Sequence, residues 1–177
     1  MCSAVHIAPP PQPLAIAFAP VKGGGGGSDW LVQKLTEIGA TDIFPLLPTK
    51  RSVVKWSRAS GGGGGGGLSS NGTNMARLVK ICREASMQSR RVYLPTIHPP
   101  SDIKDIAKMD GAAIAEPFGS TLDASHTLVI IGPEGGWDSE ELQLCTRRVS
   151  LGHTVLRSET AGVVAAALMA AAHRAKC

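Results

Sequence analysis

Thr127-Leu-Val-Ile-Ile131-Gly132-Pro133-Glu134-Gly135-Gly136 is the stretch on which the reading of this chain turns. Its first half is a continuous apolar run of strand length, which reads as a buried strand. Its second half carries three glycines, whose freedom at positive φ lets bare backbone amides approach a ligand. A polar, amphipathic helix is predicted to follow from Asp138, where Glu141 three positions on completes a capping-box pattern. Some twenty residues later a second segment, Leu156-Arg157-Ser158-Glu159-Thr160-Ala161, follows a short strand predicted over His153–Leu156 and opens the last helix. The first-turn amides of that helix lack intrahelical partners. Two strand-to-helix loops at one sheet edge predict a crevice. The glycine loop alone is also compatible with a simple turn. It is not a phosphate loop, for it has neither a Gly-Lys-Ser/Thr ending nor Gly-x-Gly-x-x-Gly spacing.

The rest of the chain fits around this crevice as alternating strands and helices. Strands are predicted over Leu14–Ala19, Asp42–Leu47, Ala112–Glu116, Thr127–Ile131 and Thr154–Leu156. Helices are predicted over Ser28–Ile38, Thr73–Ser89, Ser101–Lys108, Asp138–Val149 and Glu159–Lys176. Strands that are nearly all apolar and alternate with helices argue for a parallel sheet covered on both faces, in the α/β class. With 177 residues, 43% of them hydrophobic, the chain can bury one sizeable core.

Composition narrows the function classes. No stretch reaches the roughly twenty apolar residues of a membrane span, and the proline-rich leader, residues 1–13, lacks the charged start and apolar core of a signal peptide. The expectation is a cytoplasmic protein. Cys2, Cys82, Cys145 and Cys177 show no paired spacing and no partnered histidines, which reads as reduced thiols, two of them helix core, with no metal site. Charge is unevenly placed. Residues 20–95 hold eleven Lys or Arg against four Asp or Glu, and the remainder seven against ten. Within the basic half, Lys50, Arg51, Lys55, Trp56, Arg83 and Arg90 combine cations with an interleaved aromatic, as phosphate contact and base stacking require. Each one singly also suits an ordinary solvated surface.

The two loops together, at this separation, resemble the motif pair of the RsmE-type 16S rRNA uracil-N3 methyltransferases, a branch of the SPOUT superfamily. The resemblance extends through Asp29-Trp-Leu-Val-Gln-Lys-Leu-Thr-Glu-Ile-Gly39, Thr41-Asp-Ile-Phe-Pro-Leu-Leu47, Arg51-Ser-Val-Val-Lys-Trp56 and Glu84-Ala-Ser-Met-Gln-Ser-Arg90, in family order. It covers residues 14–177, which it identifies as the methyltransferase domain. The implied fold is a SPOUT-type parallel sheet with a C-terminal trefoil knot, which periodicity alone does not suggest, since threaded chains are rare. The implied cofactor is S-adenosylmethionine, leaving S-adenosylhomocysteine as product, and the implied substrate is 16S rRNA or the small ribosomal subunit. A homodimer formed across the last helix is implied as well.

The same resemblance implies donor-site residues: Glu116, Gly132, Pro133, Glu134, Gly135, Gly136, Leu151, Leu156, Arg157, Ser158, Glu159, Thr160 and Ala161. Methylation at N3 of uridine requires that a proton leave the ring and that the developing negative charge be stabilised. Arg157 is the candidate for the charge and Glu134 for the proton. An alternative reading pairs Arg157 with Glu159 as a structural ion pair. Ribose 2'-O methylation and RNA binding without turnover are the competing functions.

Two features depart from the family pattern. Residues 23–27 and 61–67 are all glycine and encode only flexible linkage, where the family carries charged residues. The PUA-like barrel of typical members has no counterpart in residues 1–13.

Overall fold

The computed structural model describes residues 11–21, 27–52 and 75–175. The leader to residue 10, Lys55, Trp56, the second glycine run and all but Gly27 of the first, Cys2 and Cys177 lie outside the described residues. In chain order the elements are β1 (Ala15–Phe18), α1 (Gly27–Ile38), β2 (Asp42–Pro45), α2 (Met75–Gln88), β3 (Thr96–Ile97), α3 (Ile103–Ile106), β4 (Ala112–Thr121), β5 (Leu128–Ile131), α4 (Ser139–Gln143), β6 (Arg148–Ser150) and α5 (Ser158–Arg174). The six strands form one sheet in the order β3-β2-β1-β5-β4-β6, and every neighbouring pair is parallel.

Side-chain alternation along the strands builds a core on each face. Ile16, Phe18, Ile43, Ala113, Val129 and Ile131 point to one side, where Leu31, Val32 and Leu35 of α1, Leu78 and Cys82 of α2, and Ala161, Ala165, Ala166 and Met169 of α5 cover them. Ala15, Ala17, Phe44, Ile114, Leu128 and Ile130 point to the other, under Ile103 and Ile106 of α3 and Leu142 beside Trp137. The predicted parallel sheet with helices on both faces is therefore present. Truncating a fully buried residue such as Leu31 to Ala would cost about 2–5 kcal/mol.

The edge of the sheet differs from the sequence reading. The helix predicted over Asp138–Val149 stops at Gln143, and its last part is β6. The reason is tertiary. Val149 is fully buried and pairs with Ala115 and again with Ser120, so β4 runs on well past Glu116, with the register shifting between those two positions. Gly119 lies so close to the Val149 backbone that a side chain there would collide with it. The strand predicted over His153–Leu156 is not formed. Its β-branched residues have no sheet partner, and Val155 stands 87% exposed. The short β3 escaped the sequence reading. Cys82 is in a helix core as expected, whereas the buried Cys145 lies in the turn after α4. Arg91, within the basic stretch of residues 20–95, donates to the carbonyls of Thr36, Gly39 and Ala40 at 2.9, 3.2 and 2.9 Å, closing the carboxyl end of α1.

Candidate functional site

Because all strands are parallel, the segments leaving β4, β5 and β6 emerge at the same end of the sheet, where open α/β sheets place their ligands. There they enclose a cleft of about 310 Å³, within the range of small-ligand sites. Its walls are Ala115–Pro117 from β4, Ile131 at the end of β5 with residues 132–134, 136 and 137 after it, Leu142 of α4, and residues 151, 152, 154–156, 158 and 161 around the start of α5.

The two motif loops meet inside this cleft. Ser158 is 4% exposed, and its Oγ donates to the Gly132 carbonyl at 2.7 Å. That bond joins the first turn of α5 to the exit of β5. The glycine loop itself is a turn closed by Gly136 N–H donating to the Pro133 carbonyl at 2.9 Å. Gly136 has φ of 72°, a conformation other residues adopt only with strain. At Gly132 the constraint is contact: a side chain there would begin 2.8 Å from the indole ring of Trp137. Trp137 thus forms part of the wall, with its Nε1 buried and without a hydrogen-bond partner among the described residues.

The predicted capping box at Asp138 is formed, with Glu141 Oε2 accepting from Asp138 N–H at 2.9 Å. The Glu140 amide, then the Lys50 ammonium, hold the Asp138 carboxyl below its ordinary range. Glu116, at the β4 wall, lies 3.5 Å from Arg148 Nε, and the Arg148 guanidinium also donates to the Leu142 and Cys145 carbonyls. Arg148 therefore fastens one wall to the chain leaving α4.

Of the donor-site residues expected from sequence, Glu116, Gly132, Pro133, Glu134, Gly136, Leu151, Leu156, Ser158 and Ala161 line the cleft, whereas Gly135, Arg157, Glu159 and Thr160 do not. Arg157 is exposed at the amino end of α5 and makes no capping hydrogen bond. Glu159 keeps one carboxylate oxygen buried and unpartnered, and no Arg157–Glu159 pair occurs among the ion pairs of the described residues. The sequence reading missed Trp137, whose signal is an aromatic residue directly after a glycine loop. It also missed Thr154 and Val155, which it had assigned to a strand.

The expected RNA-side residues are dispersed. Lys50 pairs with Glu140 at 2.7 Å and Asp138 at 3.2 Å, which raises its pKa. Arg51 is exposed beside the glycine loop, its Nη1 3.4 Å from the Gly135 carbonyl. Arg83 and Arg90 are exposed on and just beyond α2, away from the cleft lining.

Comparison with known proteins agrees with this architecture. A model of the RNA methyltransferase domain matches residues 8–170. A Synechocystis sp. protein named ribosomal RNA small subunit methyltransferase E is 30% identical, over 89% of this chain and 52% of its own length. The chain spans between about half and two thirds of the curated relatives it matches. Among solved structures, a Legionella pneumophila methyltransferase in complex with the cofactor SAM superposes with a TM-score of 0.70 at 29% identity, covering 90% of this chain and 67% of that one. Ribosomal RNA small subunit methyltransferase E from Neisseria gonorrhoeae, bound to S-adenosyl methionine, gives 0.67 at 25% identity, covering 90% and 66%. With a cleft at the strand ends walled by its two motif loops, and a family match that spans nearly every described element, the chain belongs to the RNA methyltransferase domain family.

Proposed function

We propose that this chain is the catalytic domain of an S-adenosylmethionine-dependent methyltransferase acting on N3 of a uridine in small-subunit (16S) rRNA. The observation that carries the reading is the single cleft wall made by Gly132 and Ser158, joined at 2.7 Å, in a member of the RNA methyltransferase domain family. The related proteins bound to S-adenosyl methionine and named for small-subunit rRNA support the cofactor and the substrate.

The lining suits such a donor. Ile131, Leu142, Leu151, Leu156 and Trp137 offer apolar surface for a nucleoside, and the turn over Pro133–Gly136 supplies backbone groups for its polar edge. When bound, S-adenosylmethionine supplies an electrophilic methyl group. The chain's task is then to orient the acceptor nitrogen against it, from which most of the acceleration follows. Glu134 is assigned the N3 proton in this reading, which its exposed position in the cleft wall supports. Arg157 stands one residue before Ser158 with no capping bond, which supports its assignment to the negative charge developing on the base. Gly135, Glu159 and Thr160 act in this reading by shaping the loops and not by touching the donor. Lys50, Arg51, Arg83 and Arg90, with Lys55 and Trp56, contribute the RNA face.

The threaded C-terminal segment belongs to the same proposal. Membership of the RNA methyltransferase domain family and the likeness to methyltransferase structures support it. A homodimer across α5 is supported by its Leu168, 41% exposed beside the exposed Ala167 and Ala171. No helix among the described residues is long and apolar enough to cross a membrane. Incubation with small ribosomal subunits and labelled methyl donor, followed by nucleoside analysis, tests the activity. 3-Methyluridine is the expected product. A ribose-methylated nucleoside would move the chain to 2'-O chemistry, and retention of RNA without turnover would make it a binding module.

A further inference from the structure

We propose that Glu141 is a positioning residue that locks the RNA-side turn Thr49–Ser52 to the glycine loop, so that RNA and methyl donor bind cooperatively. The inference rests on the function proposed above.

Glu141 is 6% exposed, and a polar group so buried needs hydrogen-bond partners. Its two oxygens serve two different segments. Oε2 accepts from the Asp138 amide at 2.9 Å and so completes the cap of α4. Oε1 accepts from the Lys50 amide at 2.9 Å, across a separation of 91 residues. A capping box needs only the first of these bonds. The second reaches out to the basic segment, and charge-assisted bonds of this kind are about twice as strong as neutral ones.

The contact continues outward from that carboxylate. Lys50 Nζ bridges Asp138 and Glu140, and Arg51 Nη1 reaches the Gly135 carbonyl. The Arg51 carbonyl oxygen lies 3.0 Å from where a side chain on Gly135 would begin, so backbone packs on backbone. The turn is itself stiff. Thr49 N–H donates to Ser52 Oγ at 2.9 Å, the two hydroxyls are 2.8 Å apart, and Ser52 N–H donates to the Thr49 carbonyl at 3.1 Å. The exposed Arg51 guanidinium at its outer side is available to a phosphate, whereas the Lys50 ammonium beside it is engaged by Asp138 and Glu140.

A turn held this way cannot be ordered without ordering the loop beneath it. RNA phosphate held by Arg51 therefore removes part of the entropy that a donor would otherwise lose when it fixes Pro133–Gly136, which gives positive coupling without a large rearrangement. Linkage makes the effect reciprocal. Gly135, absent from the cleft lining, acquires a function here as the place where the turn rests.

The test is a double titration: S-adenosylhomocysteine affinity by calorimetry, with and without a saturating uridine-containing RNA oligonucleotide. RNA is expected to tighten S-adenosylhomocysteine binding by at least about fivefold. Glu141→Gln, which presents an amide NH2 to one of the two backbone donors, should bring that factor to within about twofold of unity. Lys50→Ala keeps the buried carboxylate, loses only the outer ion pairs and should lower the factor part of the way, which keeps the test available if Glu141→Gln unfolds. Independent binding of the two ligands to the unaltered chain, or full coupling in a folded Glu141→Gln variant, would overturn the inference. Failure of either ligand to bind at all would instead overturn the proposed function.

Discussion

The two loops that wall the cleft are built to opposite standards. The β5–α4 loop is fastened at every step: a closed turn at Pro133–Gly136, an indole against Gly132, the Ser158 hydroxyl on the Gly132 carbonyl, and a capping box at Asp138. In the β6–α5 loop the bonds gather at Ser150, whose Oγ contacts the Gly152 and Pro117 backbones, while residues 152–155 are exposed. The contrast teaches which wall recognises and which adapts. A fastened wall presents its groups at a smaller ordering cost, whereas a loose one is ordered largely by the ligand and lowers the net affinity.

Substitutions on each wall can break this contrast. Gly132→Val drives a branched side chain into the Trp137 ring and should weaken S-adenosylhomocysteine binding by about a hundredfold or more, roughly 2.7 kcal/mol. A calorimetric titration giving near-native affinity would show that the fastened wall is not the recognising one. Ser158→Ala leaves the Gly132 carbonyl without its donor, so thermal or urea unfolding should register a loss of about 1–3 kcal/mol, with affinity down about tenfold. If stability falls while affinity holds, the inter-loop bond supports the fold alone.

On the loose wall, Gly152→Ala meets open space, and its cost is only the backbone strain at φ of 142°, about 1 kcal/mol. Affinity should change by no more than several-fold, and an effect as large as that of Gly132→Val would erase the distinction between the walls. The smallest effect concerns acid. Asp138 has its pKa lowered on folding by the Glu140 amide and by Lys50, so its contribution is present above the ordinary carboxylate value, about 4, and is lost as pH falls through the depressed folded value. Melting curves of the unaltered chain should drop more steeply below about pH 4 than those of Asp138→Asn. Parallel curves would mean that this cap adds nothing to the fastened loop.

How far the molecule could be read from its residues follows the same division between local and distant causes. β1, β2 and β5 were legible because they are short, apolar and buried on both faces. The Asp138–Glu141 capping box was legible because its partners lie three residues apart. β6 was not. Val149 becomes strand through pairing with Ala115 and Ser120, about thirty residues away, while Thr154 and Val155 carry strand-forming side chains and have no edge to join. At the site, nine of the expected donor residues line the cleft, since the two motifs lie at neighbouring strand ends. The Lys50–Glu141 bond joins segments 91 residues apart that the sheet brings together, and nothing in local spacing encodes it, whereas the Trp137 wall packs on Gly132 within one loop and carries a local signal, an aromatic directly after the glycines.

The central claim is that the two loops form one methyl-donor site. Titration calorimetry of the purified chain with S-adenosylmethionine and S-adenosylhomocysteine, using ATP and NAD as controls, tests it most directly. Saturable binding of the first two and none of the controls is the predicted result. A folded chain that binds neither methyl-donor ligand, or binds ATP or NAD equally well, would contradict it.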